Sequence, residues 1–154
     1  NYNAKSNMAD NSCNYPDRGF DCEGNIIQPY IGMKAFGGMI YHIDESGQHG
    51  LVTTTKDIGY DQWVTAKTLC DSYKSNNNED WSLPSIGELL KMYNAIGHGS
   101  KSGNKGGFTN DNYWSSDSSG SGQCNQFVGF SSKGGTIECD TDNLNFYIRP
   151  IRSF

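Results

Sequence analysis

The sequence predicts an α+β fold: a β-hairpin, then two helices, then a run of short strands joined by polar turns. Three observations lead there. Short strand-like runs on either side of an Asp-Glu-Ser-Gly turn mark the hairpin, and from Asp61 the apolar period changes to three and four. Nineteen Gly beside nine Tyr, seven Phe and three Trp indicate a turn-rich domain with an aromatic core, not a disordered chain. A length of 154 residues fits one domain, or one domain with an appendage, at roughly 150 residues per domain.

Residues 1–36 are polar, irregular and Asn-rich, and read as an N-terminal extension. They hold a short Cys13–Cys22 segment with Pro16 and Gly19, and an apolar patch at Ile26-Ile27. A different texture opens at Gly37-Gly38 and defines the main domain, 37–154. Met39 to Ile43 reads as a strand, Asp44-Glu45-Ser46-Gly47 as a turn, and Gly50 to Thr54 as the return strand. Trp63, Ala66, Leu69, Cys70 and Tyr73 then form one helical face, with Asp61 as its expected N-cap. Asn76-Asn77-Asn78 ends that helix. Ser85-Ile86-Gly87-Glu88 has the form of a capping box, with Pro84 just outside. Leu89, Leu90, Met92, Tyr93 and Ile96 follow as a second apolar face, and Gly97 supplies the stop. Residues 98–107 are mostly Gly, Ser and Lys, hence an exposed loop. Short strands are expected at Tyr113 to Ser116, Gln126 to Phe130, Thr136 to Cys139 and Phe146 to Ile151. Pro150 demotes the last to an edge or irregular strand.

Twelve Lys and Arg against seventeen Asp and Glu give a net charge of −5, which argues against nucleic acid as a partner. No run approaches the roughly 18 apolar residues of a membrane span, so no direct membrane insertion is expected. No basic-then-apolar leader opens the chain, and the opening Asn1 reads as the start of a trimmed fragment. Of five cysteines, Cys13 and Cys22 bracket a small loop, and Cys124 and Cys139 flank a turn at Gly134-Gly135. Cys70, on the helical face, is left as a buried free thiol. Five choices of odd cysteine and three pairings of the rest allow fifteen connectivities, of which this is the one adopted. It places the chain in an oxidising compartment outside the cytoplasm. Zinc does not fit, since there is no C-x2-C pair and His42, His49 and His98 lack ligand spacing.

Several stretches then resemble a known family. They are Gly37-Gly38-Met39-Ile40-Tyr41 through Asp44-Glu45-Ser46-Gly47-Gln48-His49-Gly50-Leu51-Val52, Asp80-Trp81-Ser82-Leu83-Pro84-Ser85 with Glu88-Leu89, Tyr113-Trp114-Ser115-Ser116, and Ile148-Arg149-Pro150-Ile151-Arg152. Together, over residues 37–154, they resemble the bacterial C-type-lectin-like domain at the C-terminus of the Legionella collagen-like adhesin and in many surface lipoproteins. The resemblance implies a C-type-lectin-like fold with two helices flanking a small, twisted, mostly antiparallel sheet. It also implies that the first and last strands pair, that long loops lie on one face, and that the protein is extracellular or on the bacterial surface. Within these motifs Trp81 and Trp114 read as buried rings seeking one partner each. Arg149 and Arg152 read as braces for carboxylates or loop carbonyls.

Calcium-dependent lectins hold sugar with Glu-Pro-Asn or Gln-Pro-Asp and a Trp-Asn-Asp triplet, which this chain lacks. The nearest oxygen-rich run, Glu138, Asp140, Asp142, Asn143 and Asn145, lacks the EF-hand pattern and reads as a polar turn. No metal and no cofactor are therefore expected. No catalytic residues are assigned, since no motif such as G-x-S-x-G frames a nucleophile and Cys124 with Cys139 reads as a staple, not a reactive pair.

The Asn, Ser, Gly and Tyr content of the stretch 109–126 resembles that of an antibody paratope. It also resembles the variable proteins of diversity-generating retroelements, in which adenine mutation changes Asn codons while Trp114, Gln123 and Gln126 stay fixed. The expected ligand-binding residues are Asn110, Asn112, Tyr113, Asp117, Ser119, Asn125, Asn143 and Asn145. The expected function is non-enzymatic recognition of a host or cell-surface protein or glycan, with homo-oligomers allowed. The alternatives are a structural module of a pilus or fibre with residues 1–36 as connector, and glycosaminoglycan adhesion through Lys101, Lys105 and Lys133.

Overall fold

In a computed structural model, which describes residues 18–75, 77–120, 124–141 and 144–154, the chain is α+β with two helices, as expected, but its strands form two sheets where one was expected. The first sheet has the order β1-β2-β3-β9, from Lys34–Ala35 (β1), Gly38–Ile43 (β2), Gly50–Thr53 (β3) and Ile151–Ser153 (β9). The second has the order β4-β8-β5-β6-β7, from Gly59–Asp61 (β4), Asn112–Ser118 (β5), Asn125–Ser131 (β6), Gly134–Asp140 (β7) and Phe146–Ile148 (β8). All pairings are antiparallel except β5 with β8. The helices are α1 (Trp63–Ser72) and α2 (Ile86–Ile96).

The predicted hairpin is β2 and β3, with Ile40 opposite Val52 and a register shift between Ile40 and His42. Strand β2 is buried on both faces. Met39 and Tyr41 pack with Leu89, Met92 and Ile96 of α2, while Ile40 packs with Val52, Met33 and Trp81. Phe20, Ile26 and Tyr30 lie against this second cluster. An unforeseen hairpin precedes it: Ala35 pairs with Gly38 across Phe36 (φ 53°) and Gly37 (φ 84°). Two successive positive φ values are what a two-residue hairpin turn with the twist of its strands requires. The bulky Phe36 is held there by stacking on Phe154, with ring centroids 4.1 Å apart. Gly37 serves doubly, because a Cβ there would also stand 2.6 Å from Nδ2 of Asn78.

Helix α2 starts with the expected capping box: Glu88 N donates to Ser85 Oγ at 3.3 Å, and Ser85 N donates to Glu88 Oε2 at 2.8 Å. It stops at Gly97, whose φ of −95° is not left-handed and whose N–H reaches back to Met92 O. The start of α1 differs from expectation. Asp61 lies in β4 and pairs with Phe146 of β8, so the N-cap falls on Gln62, and the Asp61 carboxylate accepts from Gln62 N at 2.7 Å.

The last predicted strand is two strands. Pro150 cannot donate to a ladder, so the chain leaves β8 at Ile148, turns through Arg149-Pro150 and enters the other sheet as β9. Strand β9 is an edge, as the proline implied, whereas β8 lies inside its sheet. The expectation that the first and last strands pair also fails: β9 lies beside β3, and the free side of β2 is filled by β1.

Candidate functional site

Strands β5, β6 and β7 build the predicted binding region on an aromatic scaffold. Trp114, Phe127 and Phe146 pack with Ala66 and Cys70 of α1, while Tyr113, Val128 and Phe130 pack with α2. Both faces of β5 and β6 thus contribute to core, whereas β7 is exposed from Thr136 to Cys139. Trp114 Nε1 finds its one partner in Asp61 O at 2.7 Å, whereas Trp81 Nε1 is buried without a partner among the described residues. The Cys124–Cys139 disulfide joins the residue just before β6 to β7, with Cα atoms 5.6 Å apart, and Cys70 is a buried free thiol, both as expected. Cys22 is disulfide-bonded; its expected partner, Cys13, lies outside the described residues.

The predicted ligand-binding residues separate on this scaffold. Asn110 is exposed and its Oδ1 accepts from Ser132 N at 3.2 Å. Asn112 is half-buried in a row with Gly129 and Thr136, where the missing glycine side chain leaves room: a Cβ would stand 2.6 Å from Thr136 Oγ1 and 3.2 Å from Asn112 Oδ1. Tyr113 presents no surface at all. It is 0% exposed, accepts from Thr109 N at 2.8 Å and donates to Asp57 Oδ2 at 3.1 Å. Burial, and then the Asp57 charge, push its phenol up to about 12. Asp117 is half-buried and its carboxylate accepts from Ile86 N at 2.7 Å, at the start of α2. Ser119 is half-buried, donates from its N–H to Cys124 O at 2.8 Å, and accepts from Cys124 N at its Oγ. Asn125 is buried, Asn145 is exposed, and Asn143 lies outside the described residues. Asn110 and Asn112 sit at or just before one end of β5 and Asp117 and Ser119 at or just past the other, roughly 17–30 Å apart at about 3.4 Å per residue.

Arg149 and Arg152 are braces. Arg149 is 1% exposed; its Nε donates to Asp57 Oδ1 at 2.7 Å, its Nη1 to Thr54 O at 2.8 Å and Gly106 O at 3.0 Å, and its guanidinium lies 4.3 Å from the Phe108 ring centroid. Arg152 binds Asp80 Oδ1 at 2.7 Å and Phe36 O at 2.9 Å. That bond holds the Asp80 carboxyl below its ordinary range. In the oxygen-rich run, Asp140 Oδ2 accepts from Leu144 N at 3.2 Å, Asp142 and Asn143 lie outside the described residues, and no group of three or more His, Cys, Asp or Glu among the described residues is placed to hold a metal. No helix among them is long and apolar enough to cross a membrane. Lys101, Lys105 and Lys133 are exposed.

A feature that the sequence reading missed is a pair of adjoining pockets, the two lobes of a depression that starts beside the β1–β2 turn and is divided by a shared wall. One lobe, of about 280 Å³, is lined by Lys34, Gly37 and Ser75, and the other, of about 510 Å³, by Lys56, Asp57, Leu69 and Lys74; both share Thr54, Thr55 and Tyr73. Its walls come from three distant segments, and no local pattern joins them. Neither a family model nor a curated protein matches this chain.

Proposed function

We propose that this chain is a non-enzymatic recognition domain of a bacterial surface protein, of the C-type-lectin-like kind, acting outside the cytoplasm on a host or cell-surface protein or glycan. The observation that carries the reading is the contrast within β5 and β6. Tyr113, Trp114, Phe127, Val128 and Phe130 are all buried to 5% exposure or less, while exposed Asn110 and half-buried Asn112 and Ser119 stand at or just beyond the ends of β5. Polar side chains held on a rigid scaffold lose little entropy when a partner orders them. The disulfide is consistent with an oxidising location. The Asn-rich ends also fit a diversified surface, and a near-repeat of the last third of the gene, differing at adenines and beside a reverse transcriptase, would establish it.

The test is a triple variant, Asn110→Ala, Asn112→Ala and Asn145→Ala, in the whole chain. Binding of the labelled domain to epithelial cells and to a glycan array should fall at least tenfold while the melting temperature stays within a few degrees, since surface changes usually cost under about 0.5 kcal/mol each. Undiminished binding by a folded triple variant would overturn the reading. The rival reading, a fibre module, is favoured by one observation: β7 is an edge strand, exposed from Thr136 to Cys139, and open edges invite pairing with another chain. A concentration-dependent oligomer, abolished by Ile137→Lys, would support that rival.

A further inference from the structure

We propose that the two adjoining lobes act as one cleft and form a second binding site, for a small elongated organic anion with an acidic group at each end, such as a dicarboxylate or a phosphorylated carboxylic acid. Charge distribution is the first reason. The chain carries a net −5, yet the cleft holds Lys34 at one end and Lys56 with Lys74 at the other. The only acid in the lining given above, Asp57, is already neutralised by Arg149 at 2.7 Å and accepts from Tyr113. Three lysines less that one acid leave a positive lining even before the Arg149 charge is counted. Lys34 and Lys56 have no acidic partner among the described residues. Lys74 pairs with Glu79 at 3.0 Å, both side chains about two-thirds exposed (66% and 67%), a surface pair weak enough for a ligand to displace.

The second reason is the shape and chemistry between those ends. Thr54, Thr55 and Tyr73 wall both lobes; Thr54 is buried, so a ligand spanning them meets the Thr55 hydroxyl and the Tyr73 ring in its uncharged middle. The lobes together have the size of small-molecule sites, roughly 300–1,000 Å³. The third reason is rigidity. Thr54 Oγ1 donates to Lys56 O at 2.8 Å and Arg149 holds Thr54 O, which fixes one wall. Trp81 backs the other: its ring meets Tyr73 edge-on with centroids 5.5 Å apart, and lies behind Gly37. A preformed, positively lined cleft loses little in closing on an anion.

The experiment is titration of the whole chain at low ionic strength with glutarate, citrate and inorganic phosphate, with acetate as the monovalent control, followed by calorimetry and by amide NMR shifts. Glutarate and citrate should bind more tightly than acetate and move the amides of Thr54 to Lys56 and Tyr73 to Ser75. Lys34→Gln and Lys56→Gln should each weaken glutarate about fivefold, a factor typical of one partly solvated charge contact. Lys101→Gln, outside the cleft, should leave it unchanged. Phosphate, which needs only one end, should lose affinity with Lys56→Gln and not with Lys34→Gln. Equal binding of glutarate and acetate, or equal losses from Lys34→Gln and Lys101→Gln, would show a general counterion effect and overturn the proposal. The triple asparagine variant should bind glutarate normally, so failure of the recognition face and failure of the cleft are separable.

Discussion

Arg149→Met should be among the most damaging single substitutions in this domain, and the reason can be worked from its contacts. The side chain is 1% exposed and donates to one carboxylate and two carbonyls drawn from the 54–57 segment and the 97–108 loop. Methionine keeps the apolar stem against Phe108 but removes every one of these donors. Asp57, only 17% exposed, would keep a single donor, Tyr113 Oη at 3.1 Å. Breaking a buried pair by removing one partner costs about 3–5 kcal/mol, because the other charge stays buried. Against a total stability of roughly 5–15 kcal/mol, that is a large fraction. Arg152→Met is the internal control: its partner Asp80 is 57% exposed, so loss of the pair costs about 0–1 kcal/mol and loss of the bond to Phe36 O about 1 kcal/mol more. Urea unfolding measures both, and the thermal midpoint should fall by about 10 °C for Arg149→Met at roughly 3 °C per kcal/mol. The double variant Asp57→Asn with Arg149→Met should lose less than the sum of the single losses, since it leaves no orphan charge. Should Arg149→Met prove no worse than Arg152→Met, or the double variant be fully additive, the account of a buried charge knot is wrong.

Three further outcomes follow from the same geometry. Replacing Cys124 and Cys139 together by Ser should cost about 3 kcal/mol, the loop-closure value for a span of 15 residues, and a melt unchanged from the parent would deny the bridge any part in stability. Burial, with the Asp71 charge behind it, pushes the Cys70 thiol up to about 12, so iodoacetamide at pH 8 should label it only in denaturant; labelling of the folded chain, read by mass spectrometry, would contradict its burial. Tyr113 has a folded value of about 12 against 10 for the free phenol, so its contribution is complete below pH 10 and is lost as pH rises through 12. Tyr113→Phe should flatten part of that alkaline limb, with the rest due to Tyr41, which burial also raises; an unchanged limb in both phenylalanine variants would assign alkaline unfolding elsewhere.

What the sequence determined by itself is what local physics decides. The capping box of α2 joins Ser85 to Glu88 within one turn. The β2–β3 hairpin closes over a short turn, and the apolar periods of α1 and α2 need only a few neighbouring residues to be seen. The Cys124–Cys139 bridge was legible because the turn at Gly134 folds β7 back on β6. The braces at Arg149 and Arg152 were legible from the resemblance alone, without their partners.

Other features depended on contacts that no local pattern encodes. The cap of α1 moved to Gln62 because Asp61 was claimed by Phe146, 85 residues away (146 − 61 = 85). The final run was cut at Pro150 because each half had a different sheet to join. Tyr113 lies among asparagines and serines, and its neighbours suggested surface; Phe108, Phe130 and Tyr147, brought in from three other segments, made it core. The cleft joins residues near 34, 55 and 73 for the same reason. Hydrogen bonds and periodicity act over a few residues and can be read along the chain. The choice of which strand edge pairs with which is made by the whole packed core, because one unpaired edge offers the same backbone donors and acceptors as another.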